Sequence, residues 1–176
     1  MIETHPFDSF IPPGAEYLIL GSFAAKQSVK GEPYFDHNYD FYYGVKKNQF
    51  WTLLGKVYER DLRDTKSKKD LLIELHMAMA DIIYQCERKN SSSLDGDLTN
   101  IIYAIDGIKE ILDNNKISRI FFTSCYVENR FRRNFKDIIN RYPAIDLVTL
   151  PSPSPRYVLI TKEQKIKIYK ELLPLI

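Results

Sequence analysis

The sequence predicts a three-layer α/β/α sandwich, in which helices cover both faces of a central, mostly parallel four-stranded sheet. Short apolar runs with strand composition alternate along the chain with segments of helical spacing. Neither an internal repeat nor a low-complexity tract interrupts this alternation. The chain has 176 residues, 44% of them hydrophobic, which is enough for one domain with a sizeable core and too little for two ordinary domains. We therefore expect residues 1–176 to form a single domain.

Four segments have the composition of strands. Residues 16–22 form a short apolar run that follows the turn signal Pro12-Pro13-Gly14 and ends at Gly21-Ser22, as a buried parallel strand entering a functional loop does. Residues 117–123 are rich in β-branched and aromatic side chains, which favours a central strand. The other two predicted strands are residues 79–84 and 146–150.

The helices are predicted from apolar residues that recur at helical spacing. The first follows Asn48, which suits an N-cap position or one close to it, and carries Phe50, Leu53, Leu54 and Val57 on one face. The last begins at Thr161, which forms a capping-box pattern with Gln164. Further helices are predicted near residues 71–76, over 99–114 and over about 127–139, whereas residues 61–70 and 87–97 are predicted to be connections.

Composition excludes several classes of protein. The apolar runs are far shorter than the roughly 18 residues of a membrane span, and residues 1–6 lack the apolar region of a signal peptide, so we expect a soluble cytoplasmic protein. Cys86 and Cys125 lie far apart, which argues against a disulfide framework and against a metal site made of cysteines. We expect neither a metal nor a cofactor. A net charge of +2 permits nucleic-acid binding without indicating it.

The loop after the first predicted strand is the first candidate for a site, because ligands of open parallel sheets bind beyond the carboxyl ends of the strands. Its aromatic run is followed by Lys46 and Lys47, a combination that can stack a base and contact phosphates. Phe50 and Trp51 at its end are explained more simply as core residues of the first helix. Tyr42 and Tyr43 are better placed for a site, since a glycine-terminated loop is an unusual location for buried packing.

The loop after the last predicted strand is the second candidate. Three alternating prolines in residues 150–156 restrict the backbone to an extended shape. Ser152 and Ser154 supply hydroxyl groups, and Arg156 supplies a guanidinium that fits a phosphate or a groove. The segment predicts a rigid polar finger, with an exposed proline-rich turn as the alternative. No Gly-x-Ser-x-Gly pattern supports a nucleophilic serine.

Together these segments resemble the uracil-DNA glycosylase superfamily, in particular its mismatch-specific uracil/thymine and hypoxanthine-DNA glycosylase branches. The resemblance covers most of the chain and depends on the order and approximate spacing of its motifs. The matching segments are residues 18–23 for the first motif, 42–51 for an aromatic segment ending in Asn-x-Phe-Trp, 150–156 for the second motif, and Asp81 with residues 86–88 and 93–95 for the part that reads the base.

The resemblance implies a monofunctional DNA glycosylase that flips a deaminated base, uracil or hypoxanthine, out of DNA and hydrolyses its N-glycosidic bond. The partner would be DNA containing a deaminated or mismatched base, with no membrane and no obligate protein partner, so a monomer is expected. Tyr43 would stack on the base, Asp81 would read its hydrogen-bonding edge, and Arg156 would enter the duplex. The remaining implied contacts are Gly21, Ser22 and Phe23 to the base, and Lys46, Lys47, Ser152 and Ser154 to the DNA.

Two departures from the family pattern concern catalysis. Phe23 occupies the position where most branches have a water-activating Asn or Asp, a loss that the hypoxanthine branch shares, so Asn48 is the leading catalytic candidate. The loop also carries extra residues around 32–39, and Asp36, His37 or Asp40 could activate water instead. A catalytically impaired nucleic-acid-binding module on the same fold is the alternative function. His5 and His76 have no partner suggested by the sequence and are expected to be structural or surface residues.

Overall fold

The computed structural model describes residues 2–25, 39–89 and 94–176. In chain order they form β1 (Ile2–Thr4), β2 (Tyr17–Gly21), α1 (Phe50–Val57), α2 (Thr65–Glu74), β3 (Met77–Asp81), β4 (Ile83–Arg88), a 3-10 turn (Asp95–Asp97), β5 (Leu98–Tyr103), α3 (Ile105–Asn114), β6 (Arg119–Phe122), α4 (Cys125–Asn134), α5 (Lys136–Arg141), β7 (Asp146–Thr149) and α6 (Lys162–Leu172). No helix in these ranges is both long enough and apolar enough to cross a bilayer.

The central sheet has four strands in the order β3-β2-β6-β7, and every neighbouring pair is parallel. Alternate side chains of β2 enter two separate cores, as the period of a strand requires. Ile19 packs with α1, α2 and α6 on one face, whereas Leu18 and Leu20 pack with α3, α4 and α5 on the other. The predicted three-layer sandwich with a parallel four-stranded sheet is therefore confirmed.

A second sheet, β1-β4-β5, is antiparallel and was not predicted. The predicted strand 79–84 is in fact divided between β3 and β4, and the predicted connection 87–97 begins inside β4. The predicted helix 99–114 was wrong in its first part, because residues 98–103 pair with β4 and the helix begins only at Ile105. Pairing with a strand that is distant along the chain overrides local helical spacing.

Two of the helices differ from the prediction, and one predicted helix start is confirmed. Residues 65–70 belong to α2 instead of a connection, because Asp64 caps this helix by accepting a hydrogen bond from the Ser67 N–H at 2.8 Å. The helix predicted over 127–139 is two helices that meet at Phe135. The capping box of Thr161 and Gln164 at the start of α6 is confirmed.

Candidate active site

A cavity opens at the carboxyl ends of β2, β3 and β6. The loop before α1 and the proline-rich loop after β7 form its other walls. Of the residues predicted to form the site, the structure places eight in the cavity lining or directly beneath it: Gly21, Ser22, Phe23, Tyr43, Asn48, Asp81, Ser152 and Ser154. Lys46, Lys47 and Arg156 lie outside it and are exposed.

Gly21 lies at the floor of this cavity, paired in register with Asp81 of the adjacent strand. A Cβ atom at position 21 would overlap both the Tyr43 hydroxyl and Asp81 Oδ1. The absence of a side chain at Gly21 is therefore what allows the tyrosine and the carboxylate to converge above the end of β2.

Tyr43 is held in a defined orientation within the loop. Its φ of 55° is uncommon for a residue with a side chain. Its ring centroid lies 4.4 Å from that of Phe50, and its hydroxyl donates to Thr123 Oγ1 at 3.2 Å. Burial raises the pKa of Tyr43 well above its ordinary value, so the hydroxyl is neutral. Tyr42, the other tyrosine suggested as a site residue, also lines the cavity, but it is only 3% exposed and packs in the core.

Asp81 has two carboxylate oxygens in different environments. Oδ2 lies 2.8 Å from His5 Nε2, and both side chains are almost completely buried. Oδ1 is also buried, yet it has no hydrogen-bond partner among the described residues. Burial alone would lower the pKa of His5, but the hydrogen bond and charge of Asp81 outweigh it and raise that pKa above its ordinary value. His5, for which the sequence suggested no partner, thus holds a residue of the cavity.

The loop after β2 is held by polar contacts of its own. Ser22 Oγ donates to Asp95 Oδ1 at 2.6 Å, and burial raises the pKa of the Asp95 carboxyl above its ordinary value. The Arg88 guanidinium lies over the Phe23 ring, with 5.3 Å between Arg88 Cζ and the ring centroid, and Phe23 is buried. Arg88 in turn forms a buried ion pair with Glu3 at 2.7 Å. Phe23 therefore has a packing role. Most branches of the superfamily that the sequence resembles have a polar catalytic residue at this position.

The proline-rich loop is fixed by the elements behind it. Ser152 and Ser154 accept backbone hydrogen bonds from within the loop, and each hydroxyl keeps a proton that it can donate. Three other hydrogen bonds hold the loop backbone: Gln49 N to Pro153 O (3.0 Å), Lys165 Nζ to Ser154 O (3.3 Å) and Tyr169 Oη to Pro151 O (2.8 Å). The predicted rigid finger is thus a loop fastened to α1 and α6.

Beyond this loop the chain exposes two apolar side chains that the sequence analysis missed. Val158 and Leu159 are 80% and 81% exposed and follow Arg156 closely. The sequence did contain a signal for them, namely two adjacent apolar residues soon after the proline-rich segment. Such side chains gain free energy when another apolar surface covers them.

Asn48 lines the cavity, and its Oδ1 accepts a hydrogen bond from the Phe50 N–H at 2.8 Å. This bond fixes the amide at the start of α1, close to the predicted capping role.

Asp36 and His37, the other catalytic candidates, lie outside the described residues. Asp40 is exposed and accepts a hydrogen bond from Thr65 at 2.8 Å. Across the described ranges, no three His, Cys, Asp or Glu side chains are grouped closely enough to hold a metal ion.

A solved structure is similar to this chain over its whole length. It is the solution NMR structure of a candidate uracil DNA glycosylase from Methanosarcina acetivorans, with a TM-score of 0.64. The chain shares that protein's fold. The two sequences are 21% identical, and the match covers 98% of this chain and 99% of the other. No family model matches the sequence, and no curated protein does.

Proposed function

We propose that this protein is a DNA glycosylase of the uracil-DNA glycosylase superfamily, related to its mismatch-specific and hypoxanthine branches. It would hydrolyse the N-glycosidic bond of uracil or hypoxanthine turned out of DNA into the cavity. The observation that carries the proposal is the buried Asp81 Oδ1, which has no partner among the described residues and lies beside Tyr43 above Gly21. The shared fold supports the same activity.

Asp81 would select deaminated bases. Uracil and hypoxanthine carry a ring N–H that can donate to Oδ1, whereas cytosine and adenine present an unprotonated ring nitrogen at the corresponding position. A buried acceptor left without a donor costs roughly 1–3 kcal/mol, so the correct base relieves a penalty that the wrong base would retain. Tyr43 has one ring face covered by Phe50, and the base would stack on the other.

Bond cleavage would depend on Asn48 and on the start of α4. Asn48 Oδ1 has a second lone pair, which can accept a hydrogen bond from a water molecule while the Phe50 N–H holds the amide in place. The water oxygen bonds to the sugar C1′, the C1′–N bond breaks with its electron pair going to the base, and the water proton is released to solvent. Ser124 and Val127 bring the first turn of α4 to the cavity, where its positive end stabilises the departing anion.

The exposed groups around the cavity would bind the DNA. Lys46, Lys47 and Arg156 are available to phosphates, together with the hydroxyls of Ser152 and Ser154. Arg156 or the apolar pair Val158 and Leu159 would occupy the gap left by the flipped nucleotide.

The test is an excision assay on duplexes that each contain one uracil, hypoxanthine, xanthine or mismatched thymine. Alkali after incubation should give strand breaks at uracil or hypoxanthine, and omission of alkali should give none if the enzyme is monofunctional. Matched duplexes without a lesion are the control. Lesion-dependent binding without any cleavage at stoichiometric protein would instead identify a non-catalytic binding module.

A further inference from the structure

His5 lies on the side of Asp81 that faces away from the unpartnered oxygen. Its Nε2 contacts Oδ2, so the carboxylate is held by one oxygen, while the other lies unpartnered near the Tyr43 hydroxyl above Gly21. The imidazole is packed among the rings of Phe7, Phe23 and Tyr42, with centroid distances of 5.8, 5.3 and 5.6 Å. This packing restricts rotation of the imidazole, and therefore rotation of the carboxylate bonded to it.

The second imidazole nitrogen has two possible partners in the backbone of Phe7. His5 Nδ1 lies 2.9 Å from the Phe7 carbonyl oxygen and 3.2 Å from the Phe7 nitrogen. Protonated Nδ1 can donate to the carbonyl, and unprotonated Nδ1 can accept from the N–H. In both states Nε2 keeps its proton and donates to Asp81. Titration of His5 therefore changes the charge of the pair without breaking the hydrogen bond that orients it.

We infer that His5 is a positioning residue, which holds Asp81 Oδ1 toward the base and, when protonated, offsets the carboxylate charge while the base departs as an anion. The inference rests on the proposed function. Asp81 would accept a hydrogen bond from a base that becomes negatively charged during cleavage, so an uncompensated carboxylate at this position opposes the reaction. Imidazolium directly behind the carboxylate reduces that repulsion, and the reduction is large because both groups are buried.

The charged and titratable groups around the pair favour the protonated imidazole. Asp81 faces His5 from β3, and Asp8 acts on it from the segment after β1. Tyr42, stacked on the ring from the loop before α1, is neutral because burial raises its pKa far above the ordinary value. Asp95 and neutral Tyr43 lie on the cavity side of Asp81. The described groups nearest to His5 thus include two carboxylates.

The kinetic test compares single-turnover excision from pH 5.5 to 8.5 by the wild type and by His5→Gln, whose amide can donate to Asp81 without carrying charge. The wild-type rate should fall roughly tenfold to a hundredfold as His5 loses its proton. The His5→Gln rate should be low and nearly constant, and should approach the wild-type rate at pH 8.5. His76→Asn, at an exposed histidine with φ of 51°, should follow the wild type. If the excision rate of His5→Gln depended on pH in the same way as that of the wild type, the inference would be overturned.

A second measurement needs no activity. In NMR titrations, His5 of the wild type should have a pKa above the ordinary 6.5 for histidine, and Asp81→Asn should lower it. A wild-type His5 that titrates at or below the ordinary value overturns the inference, whether or not any lesion is cleaved. Absence of cleavage together with the expected titration would overturn the proposed function instead, and with it the electrostatic part of this inference.

Discussion

The backbone N–H of Gln49 donates to the carbonyl oxygen of Pro153 at 3.0 Å and joins two loops that are about a hundred residues apart in the chain. Gln49 directly follows Asn48, the candidate for orienting water, and Pro153 lies between the two serines of the proline-rich loop. The bond therefore couples the proposed catalytic wall of the cavity to its proposed DNA-binding wall. Lys165 reinforces it, because its Nζ contacts Gln49 Oε1 at 3.4 Å as well as Ser154 O.

Lys165→Met should weaken this coupling. The variant keeps a long apolar stem but loses the hydrogen bonds of the amine to Gln49 and Ser154 and its contact with the Tyr157 ring, so we expect excision to fall roughly tenfold. The melting temperature should change little. Burial of the ammonium is unfavourable, as the lowered pKa of Lys165 indicates, and the methionine removes this cost together with the hydrogen bonds. Single-turnover kinetics and thermal unfolding measure the two effects. Lys167→Met, at an exposed position of the same helix, is the control, and equal activities in the two variants would contradict the coupling.

Asn48→Ala should abolish excision with little loss of binding to lesion DNA. It also removes the hydrogen bond to the Phe50 N–H, which should lower the free energy of unfolding by about 1 kcal/mol. Asp64→Ala also removes a side-chain acceptor at a helix start, that of α2 away from the cavity, and controls for the loss of stability. Full activity in Asn48→Ala would transfer the catalytic role to the segment that contains Asp36 and His37.

Gly21→Ala should impair excision strongly. The added methyl group would displace the Tyr43 hydroxyl and Asp81 Oδ1, and overpacking of this kind costs about 1–3 kcal/mol of stability. Gly107→Ala is the matched control, because open space surrounds Gly107 and an alanine within α3 should stabilise the protein by roughly 0.5–1 kcal/mol. Excision rates and denaturant unfolding test both expectations. An active Gly21→Ala protein would show that these two groups need not converge.

The stability of the fold should depend on the protonation of His5. Its pKa is raised in the folded state, so its contribution to stability is complete below the unfolded pKa of about 6.5 and is lost as the pH rises through the folded pKa. The free energy of unfolding should therefore fall above pH 6.5 in the wild type and fall less in His5→Gln. Urea unfolding at several pH values measures the difference. Parallel curves for the two proteins would contradict it.

Val158→Ser combined with Leu159→Ser should reduce excision from duplex DNA while retaining excision from single strands, where no gap in a base stack has to be filled. Thermal stability should be unchanged, because both side chains are about four-fifths exposed. Leu175→Ser, at a position that is 86% exposed and outside the cavity lining, controls for the loss of exposed apolar surface. Equal losses on the two substrates would argue against a role in filling the duplex.

Asn48 and Thr161 illustrate what local patterns could predict about the helices. Both were identified near helix starts from nearby residues in the sequence. Thr161 forms the predicted capping box, whereas Asn48 lies one residue before the N-cap Gln49 and accepts a hydrogen bond from the Phe50 N–H. The start of α3 at Ile105 could not be predicted in this way, because residues 98–103 form a strand only by pairing with β4. Among the candidate site residues, Tyr43 was suggested by its place in a glycine-terminated aromatic loop, whereas Asp81 was suggested only by the resemblance to the glycosylase motifs. Val158 and Leu159 are visible in the sequence as an apolar pair, but only the tertiary structure shows that both side chains are exposed.

The sequence by itself determined the sandwich and its central parallel sheet, because the apolar runs of these strands and the helical spacing of the segments between them are local features of the chain. Only the tertiary structure decided the chemistry around Asp81. His5 reaches it across 76 residues, through a strand of the second sheet that has no strong local signal. Contacts of this kind depend on how β1 and β3 are brought together in space, and no local spacing in the chain records that placement.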